Sequence, residues 1–390
     1  MKIPNHPGAH LAYCTNIHPA ESWQETWQAL KTHTLAVRDQ VLASASRPPA
    51  PDYAIGLRLS AQAAEELLEG NNLHQFKTWL EQENCYVFTI NGFPYGAFHG
   101  TRVKEKVFQP DWTEQARLDY SVQLFEIIAL LVPEGVEGSV STLPGSHKTF
   151  DADEAAMFKN LEECARRIEE LSVEHGRDLH LGLEPEPLGH FENREETLAF
   201  FERFLASAED PELVRRRIGI NYDACHFALE FDDCHKSLDA FLAAGLRISK
   251  VHLSSALEFD PQCEHALQRI RQFDEPTYFH QVILLDDDGH LTRYIDLPEF
   301  LADWENSSKP RPDAVAGRIH FHIPLYAEPE APLKSTQFHA VDALNYLAKH
   351  PDFCSHFEIE TYTWGVLPET LQIPIEDQIA KEYAWVFEKV

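Results

Sequence analysis

Five short segments carry residue types that can grip a divalent cation and move protons. Gly182-Leu183-Glu184-Pro185-Glu186-Pro187 closes an apolar run on a carboxylate stiffened by prolines. Asn221-Tyr222-Asp223-Ala224-Cys225-His226 sets an Asp and a His three apart, where a strand turning into a helix can aim both at one centre. In Lys250-Val251-His252-Leu253, strand alternation puts Lys250 and His252 on one face. In Phe357-Glu358-Ile359-Glu360 the same alternation pairs Glu358 with Glu360. Arg318-Ile319-His320-Phe321-His322 offers two imidazoles on one side, as a second metal site, a substrate contact or a wet face. Each segment also has a plainer reading. Glu184 can be a solvated loop carboxylate, Asp223 a helix cap with His226 packed beside it, His252 a core histidine, and the last strand a wet edge. As a series on successive strand ends, Glu, Asp/His, His and Glu make a carboxylate–imidazole shell. Such shells suit Mn, Mg, Co or Zn and do not separate them. A carboxylate that faces a barrel interior needs a partner, and a cation supplies one.

Elements that could bring these segments together are visible along the whole chain. β-rich runs are expected at Leu11–Ile17, Ala54–Leu59, Cys85–Ile90, Gly138–Leu143, Leu179–Glu184, Arg217–Tyr222, Ile248–Leu253, Arg318–Ile323 and Phe357–Thr361. Helical spacing of apolar residues runs through Leu118–Leu131 and Ala155–His175. Repeated strand–helix alternation implies parallel strands with helices outside, hence a (β/α)8 TIM barrel with its chemistry at the strand C-termini. Nine candidate strands compete for eight places. The runs His280–Leu285 and His290–Ile295 around Asp288-Gly289 read as a hairpin inserted between the seventh and eighth βα units. Arg318–Ile323 is open to the same elaborated region. The expectation is one domain over 1–390, with an insertion at about 275–330 and a proline-rich loop at 45–52.

Bulk properties narrow the partners. The chain has 390 residues and a formal net charge of −30, which repels nucleic acid phosphate and anionic lipid. Seven cysteines without a CxxC pair read as reduced thiols. Neither a signal-peptide core nor an apolar run of spanning length is evident. The expectations are a cytoplasmic protein with a small-molecule metabolite as partner, no nucleic acid and no direct membrane insertion.

These segments resemble the xylose isomerase-like superfamily of sugar isomerases and epimerases. Gly182-Leu183-Glu184-Pro185-Glu186-Pro187 with His190-Phe191-Glu192 is similar to the fifth-strand motif of tagatose-3-epimerase-like enzymes, and Asp223-Ala224-Cys225-His226 to their DxxH. The resemblance implies Glu184, Asp223, His252 and Glu360 as metal ligands, with Glu184 and Glu360 as the catalytic acid/base pair. It implies Glu192 and His226 near the substrate. Lys250, His320, His322, Asn91 and His18 are further candidates for substrate contact, as are Asn16, Arg58 and His99. The aromatic-rich loop 93–98 is a candidate apolar wall. One departure stands out: Ser254 and Ser255 occupy the place where epimerase-like members carry a carboxylate.

Over nearly its full length the chain resembles the bacterial metabolite traffic protein EboE family. The likeness lies in Tyr13-Cys14-Thr15-Asn16-Ile17-His18-Pro19, Asn91-Gly92-Phe93-Pro94-Tyr95-Gly96, Ser141-Thr142-Leu143-Pro144-Gly145 and Glu360-Thr361-Tyr362-Thr363-Trp364. That family belongs to an operon implicated in moving a secondary-metabolite precursor towards the periplasm, which implies a membrane-protein partner from the same operon. Three functions follow as alternatives. The first is a metal-dependent isomerase or epimerase of a small hydroxylated metabolite. The second is a non-catalytic metabolite-binding protein, and the third a multi-metal hydrolase on the same barrel.

Overall fold

A computed structural model describes residues 1–43, 52–97, 104–306, 313–368 and 372–390. The loop expected at 45–52 lies, apart from Asp52, outside the described residues, as do Phe98 and His99.

A nearly closed, mostly parallel sheet of nine strands forms the centre, in the manner of a TIM barrel. Its parallel strands are, in chain order, His6–Tyr13, Tyr53–Arg58, Cys85–Asn91, Gly138–Thr142, Leu179–Leu183, Ile218–Asp223, Ile248–Leu253 and His356–Ile359. Lys2–Ile3 adds a short antiparallel strand beside the first. The eighth strand pairs with both the seventh and the first. Among the described residues, the backbone pairing between the first and second strands is the parallel bridge Cys14–Gly56, joined by the Arg58 N–H donating to Thr15 Oγ1 at 2.8 Å.

The first strand ends four residues before the expected Ile17. Thr15–Ile17 turn into a 3₁₀ segment, and that turn frees Thr15 to close the seam. Arg318–Ile323 does not enter the barrel; His356–Ile359 takes the eighth place. The chain between the seventh and eighth strands builds a separate five-stranded antiparallel sheet: Leu257–Phe259, Val282–Asp286, Leu291–Tyr294, Ala314–Ile319 and Lys334–Ser335. It therefore starts well before residue 275. Val282–Asp286 and Leu291–Tyr294 pair across a turn in which Gly289 has φ +86°, a conformation that favours glycine.

Helices pack around the barrel where the apolar period placed them. Gln115–Leu131 buries nearly every apolar side chain it carries. Glu154–His175 begins at Asp153, whose side chain accepts from the Ala155 N–H, and stops at Gly176 with φ +61°. Its buried stripe of Met157, Leu161, Cys164, Ala165 and Ile168 follows the helical period. These faces join one large apolar layer between strands and helices, while the second sheet has its own core around Phe259, Phe300, Ile319 and Phe321. Among the described residues no helix is long and apolar enough to cross a membrane.

Around Glu358 the barrel interior carries Gly56, Lys250 and His252, while Phe88 packs with His10 and His356 at the far end. Gly56 is required there, because a Cβ at this position would overlap the Glu358 carboxylate. That empty space is what lets a long acidic side chain lie within a barrel interior normally filled by branched apolar residues.

Candidate metal centre at the barrel mouth

Strand register creates the centre. Asp223 lies opposite His252, and His252 opposite Glu358, so three adjacent strands present one polar row. Two residues further along the eighth chain segment, Glu360 rises above Glu358, its N–H donating to the Leu253 carbonyl at 3.1 Å. Glu184 follows the end of the fifth strand, its N–H tied to the Thr142 carbonyl at 2.9 Å.

The four expected ligands converge. Ligand atoms of Glu184, Asp223, His252 and Glu360 all lie within 4.8 Å of one another, and all four residues are buried. His252 Nδ1 is the hub, at 3.0 Å from Glu184 Oε1, 3.1 Å from Glu360 Oε2 and 3.4 Å from Asp223 Oδ2. Asp223 Oδ1 is saturated by the N–H groups of Cys225 (2.7 Å) and His226 (3.1 Å) and by Ser254 Oγ (2.7 Å). Its other oxygen, Oδ2, is buried, makes no hydrogen bond, and faces the hub. An orphaned anionic oxygen beside two more carboxylates is costly without a cation. The residues present therefore fit a divalent metal.

Beneath this cluster lies a supporting layer. His252 Nε2 is 2.9 Å from Glu358 Oε2, and the same oxygen accepts from Lys250 Nζ at 2.6 Å. Lys250 also donates to Ser141 Oγ at 2.9 Å. A carboxylate behind a ligating imidazole fixes the ring and its tautomer. Burial pushes the Glu358 carboxyl up, but Lys250 and His252 outweigh it and bring it down to about 2. Burial likewise opposes charge on His252, yet Glu360 and Glu184 hold its imidazole well above its ordinary value.

The mouth above the cluster opens into a narrow cleft. Glu184, Glu186, His226, His320 and Glu360 supply its polar floor. Phe93, Phe108, Tyr278, Phe279 and Tyr362 give it an aromatic lining. Asn16 and Asn91 both donate to Glu360 Oε1, at 2.8 and 3.1 Å, and line the same space.

The remaining candidates separate into two groups. His226, His320, His322 and Asn91 gather at the mouth. His226 Nδ1 sits 2.9 Å from the Pro185 carbonyl, and His322 Nδ1 2.9 Å from the Glu360 carbonyl. Lys250, Glu192 and His18 do not line the cavity. Lys250 is sealed in the layer below, where its charge serves Glu358. Glu192 binds Lys148 at 2.5 Å and the Leu188 N–H at 2.8 Å, pinning its own loop. His18 bonds the Tyr13 hydroxyl at 2.9 Å and stacks on His33. Arg58 donates to the Ala20 and Gly96 carbonyls and holds loops together.

Several contributors escaped the sequence reading. Glu186, two residues after Glu184, lines the mouth in place of Glu192. The Glu-Pro-Glu alternation was the available signal. Ser254, noted only as a departure, positions Asp223. Tyr278 and Phe279 come from the second sheet's approach, and no local pattern marks them.

No family model matches the chain, and no curated protein does. Solved structures with similar folds exist. An IolI protein with a bound zinc atom is 12% identical, covers 97% of this chain and 98% of its own, and gives a TM-score of 0.49. A D-tagatose 3-epimerase-like protein is also 12% identical, with 97% and 98% covered and a TM-score of 0.46. A xylose isomerase domain containing protein from Salmonella typhimurium LT2 is 12% identical over 99% of both chains, at 0.45. Similarity at this level does not carry chemistry from one chain to another.

Proposed function

We propose that the protein is a metal-dependent isomerase or epimerase of a small hydroxylated metabolite. One observation supports this above the others. Two carboxylates, Glu184 and Glu360, come from different strand ends to the same imidazole nitrogen of His252, at 3.0 and 3.1 Å, beside Asp223. Glu184, Asp223, His252 and Glu360 would hold the cation. Held there, a divalent cation would supply Lewis-acid stabilisation of negative charge on a substrate carbonyl oxygen.

The chain's own groups then supply the proton steps. Glu184 takes the proton alpha to the carbonyl, and the released electron pair forms the enediolate. Glu360, entering this step as the carboxylic acid, gives its proton to the other face or the neighbouring carbon and is left as the carboxylate, and exchange with water resets both groups. Asn16 and Asn91 fix the Glu360 carboxylate, so that one oxygen stays aimed at the substrate. The aromatic walls exclude water and favour a metabolite with an apolar or ring-bearing part. The resemblance to the EboE family extends the proposal to a secondary-metabolite precursor, handed on to a membrane protein of the same operon.

The test is solvent deuterium exchange into hydroxyketones supplied with Mn, Mg, Co or Zn. Washing-in that disappears in both Glu184→Gln and Glu360→Gln is the expected result. Metabolite binding without exchange, unchanged by Glu184→Gln, would replace this reading with a non-catalytic carrier.

A further inference from the structure

Three imidazoles beside the carboxylate cluster are arranged in a way the isomerase reading does not use. His322 Nε2 lies 3.2 Å from His320 Nε2 and 3.4 Å from His226 Nε2. All three rings are buried. Two of them have their other nitrogen committed. His226 Nδ1 faces the Pro185 carbonyl and His322 Nδ1 the Glu360 carbonyl, both at 2.9 Å. A carbonyl oxygen only accepts, so each Nδ1 carries the hydrogen and each neutral ring turns a lone pair inward through Nε2. Lone pairs at this separation repel, and a proton or a cation among them removes the repulsion. Imidazole nitrogens around a tetrahedral zinc, with Zn–N of about 2.0–2.1 Å, are about 3.3–3.4 Å apart. The two spacings from His322 Nε2 are of that size.

A fourth position is supplied from the mouth. Glu186 Oε2 is 3.4 Å from His226 Nε2, and Glu186, His226 and His320 place ligand atoms within 4.8 Å of one another. Glu186 and His320 both border the cavity, so this position is open to a small molecule. The supporting contacts resemble those of built metal sites. The His320 carbonyl is bonded to His280, whose far nitrogen is held by Glu275, and Thr363 Oγ1 donates to the His322 carbonyl at 2.6 Å.

We propose a second cation site formed by His226, His320 and His322, with Glu186 or a substrate oxygen completing it. Its ligand set is mainly nitrogen, whereas Glu184, Asp223, His252 and Glu360 are mainly oxygen. The histidine site therefore selects zinc-like ions, and the carboxylate site accepts Mg or Mn as well. The sites adjoin without sharing Asp223, whose nearer oxygen is saturated. A metabolite spanning both would be held through two separate oxygens.

The test is metal stoichiometry on the full chain, stripped and reloaded with zinc or cobalt. Two equivalents are expected in the wild type, and one in His320→Ala/His322→Ala. One is also expected in Asp223→Asn, where the remaining cobalt keeps the intense visible bands of four-coordination. X-ray absorption at the zinc edge of the doubly loaded wild type needs no variant, and should average more than one imidazole per zinc. A single equivalent with one imidazole, or two equivalents unaffected by His320→Gln, would overturn the proposal and leave a proton shared among the rings. Two bound cations without deuterium exchange would remove the isomerase reading and keep this site. Exchange with one cation would do the reverse.

Discussion

The two ends of the barrel interior use the same residue types to opposite effect. At the mouth, Glu184, Glu186, Asp223 and Glu360 crowd around His226 and His252. Burial opposes charge on His226, yet Asp223 and Glu186 raise it to about 9. At the opposite end His10, His180 and His356 cluster around Phe88. There burial dominates and positive neighbours add to it, the N-terminal amine and Lys2 at His10, Arg247 at His180 and His180 at His356, so His10 and His180 fall to about 4 and His356 well below its ordinary value. The nearest carboxylate, Glu137, is shared with Arg247 and Ser355. The local balance of anions to imidazoles, more than burial, thus decides whether a histidine end attracts cations or stays neutral.

The sharpest way to break this contrast is to remove the charge between the two ends. Lys250→Met leaves Glu358 buried without its ammonium, and should cost about 3–5 kcal/mol in urea unfolding. A loss within error would mean that Glu358 is already protonated. Next in size, Glu358→Gln keeps the shape but weakens the hold on His252. Metal affinity at the carboxylate site should drop about 10–100-fold by calorimetry, with the fold intact by circular dichroism.

A pH scan of the metal-free protein tests both ends together. His226, with its pKa raised, contributes stability that is complete below about 6.5 and lost as pH climbs through about 9. His10 and His180, with theirs lowered, favour the fold above about 6.5, and that contribution is lost as pH falls towards about 4. Thermal midpoints should therefore peak near neutrality and fall on both sides. Zinc should flatten the alkaline side alone, and flattening of the acid side instead would contradict the assignment of the two ends. The smallest effect belongs to Tyr86→Phe, which removes the 2.7 Å hydrogen bond to His10 Nδ1 and should cost about 1 kcal/mol.

Much of the cluster could be read from sequence because barrel strands are short, alternating and ended by turns. Glu184, Asp223, His252 and Glu360 were each placed by their position at an apolar run's end, and the register then brought them together. Glu358 shared a face with Glu360, but its depth was not readable. That depth depends on the missing side chain at Gly56, across the barrel and about three hundred residues away. Lys250 was misjudged for the same reason, since alternation gives a face but no height along it. The histidine trio was only half visible: His320 and His322 follow the end of a strand of the second sheet, Ala314–Ile319, and nothing near His226 announces them.

The thin closure between the first and second strands has a consequence for motion. Their pairing is one bridge and one amide–hydroxyl contact, so this is where the cylinder parts most cheaply during native fluctuations. Amide deuteration should reach the Cys14–Arg58 border before it reaches the fifth to seventh strands. Water admitted at that border meets Glu358 against Gly56, and through it the back of His252.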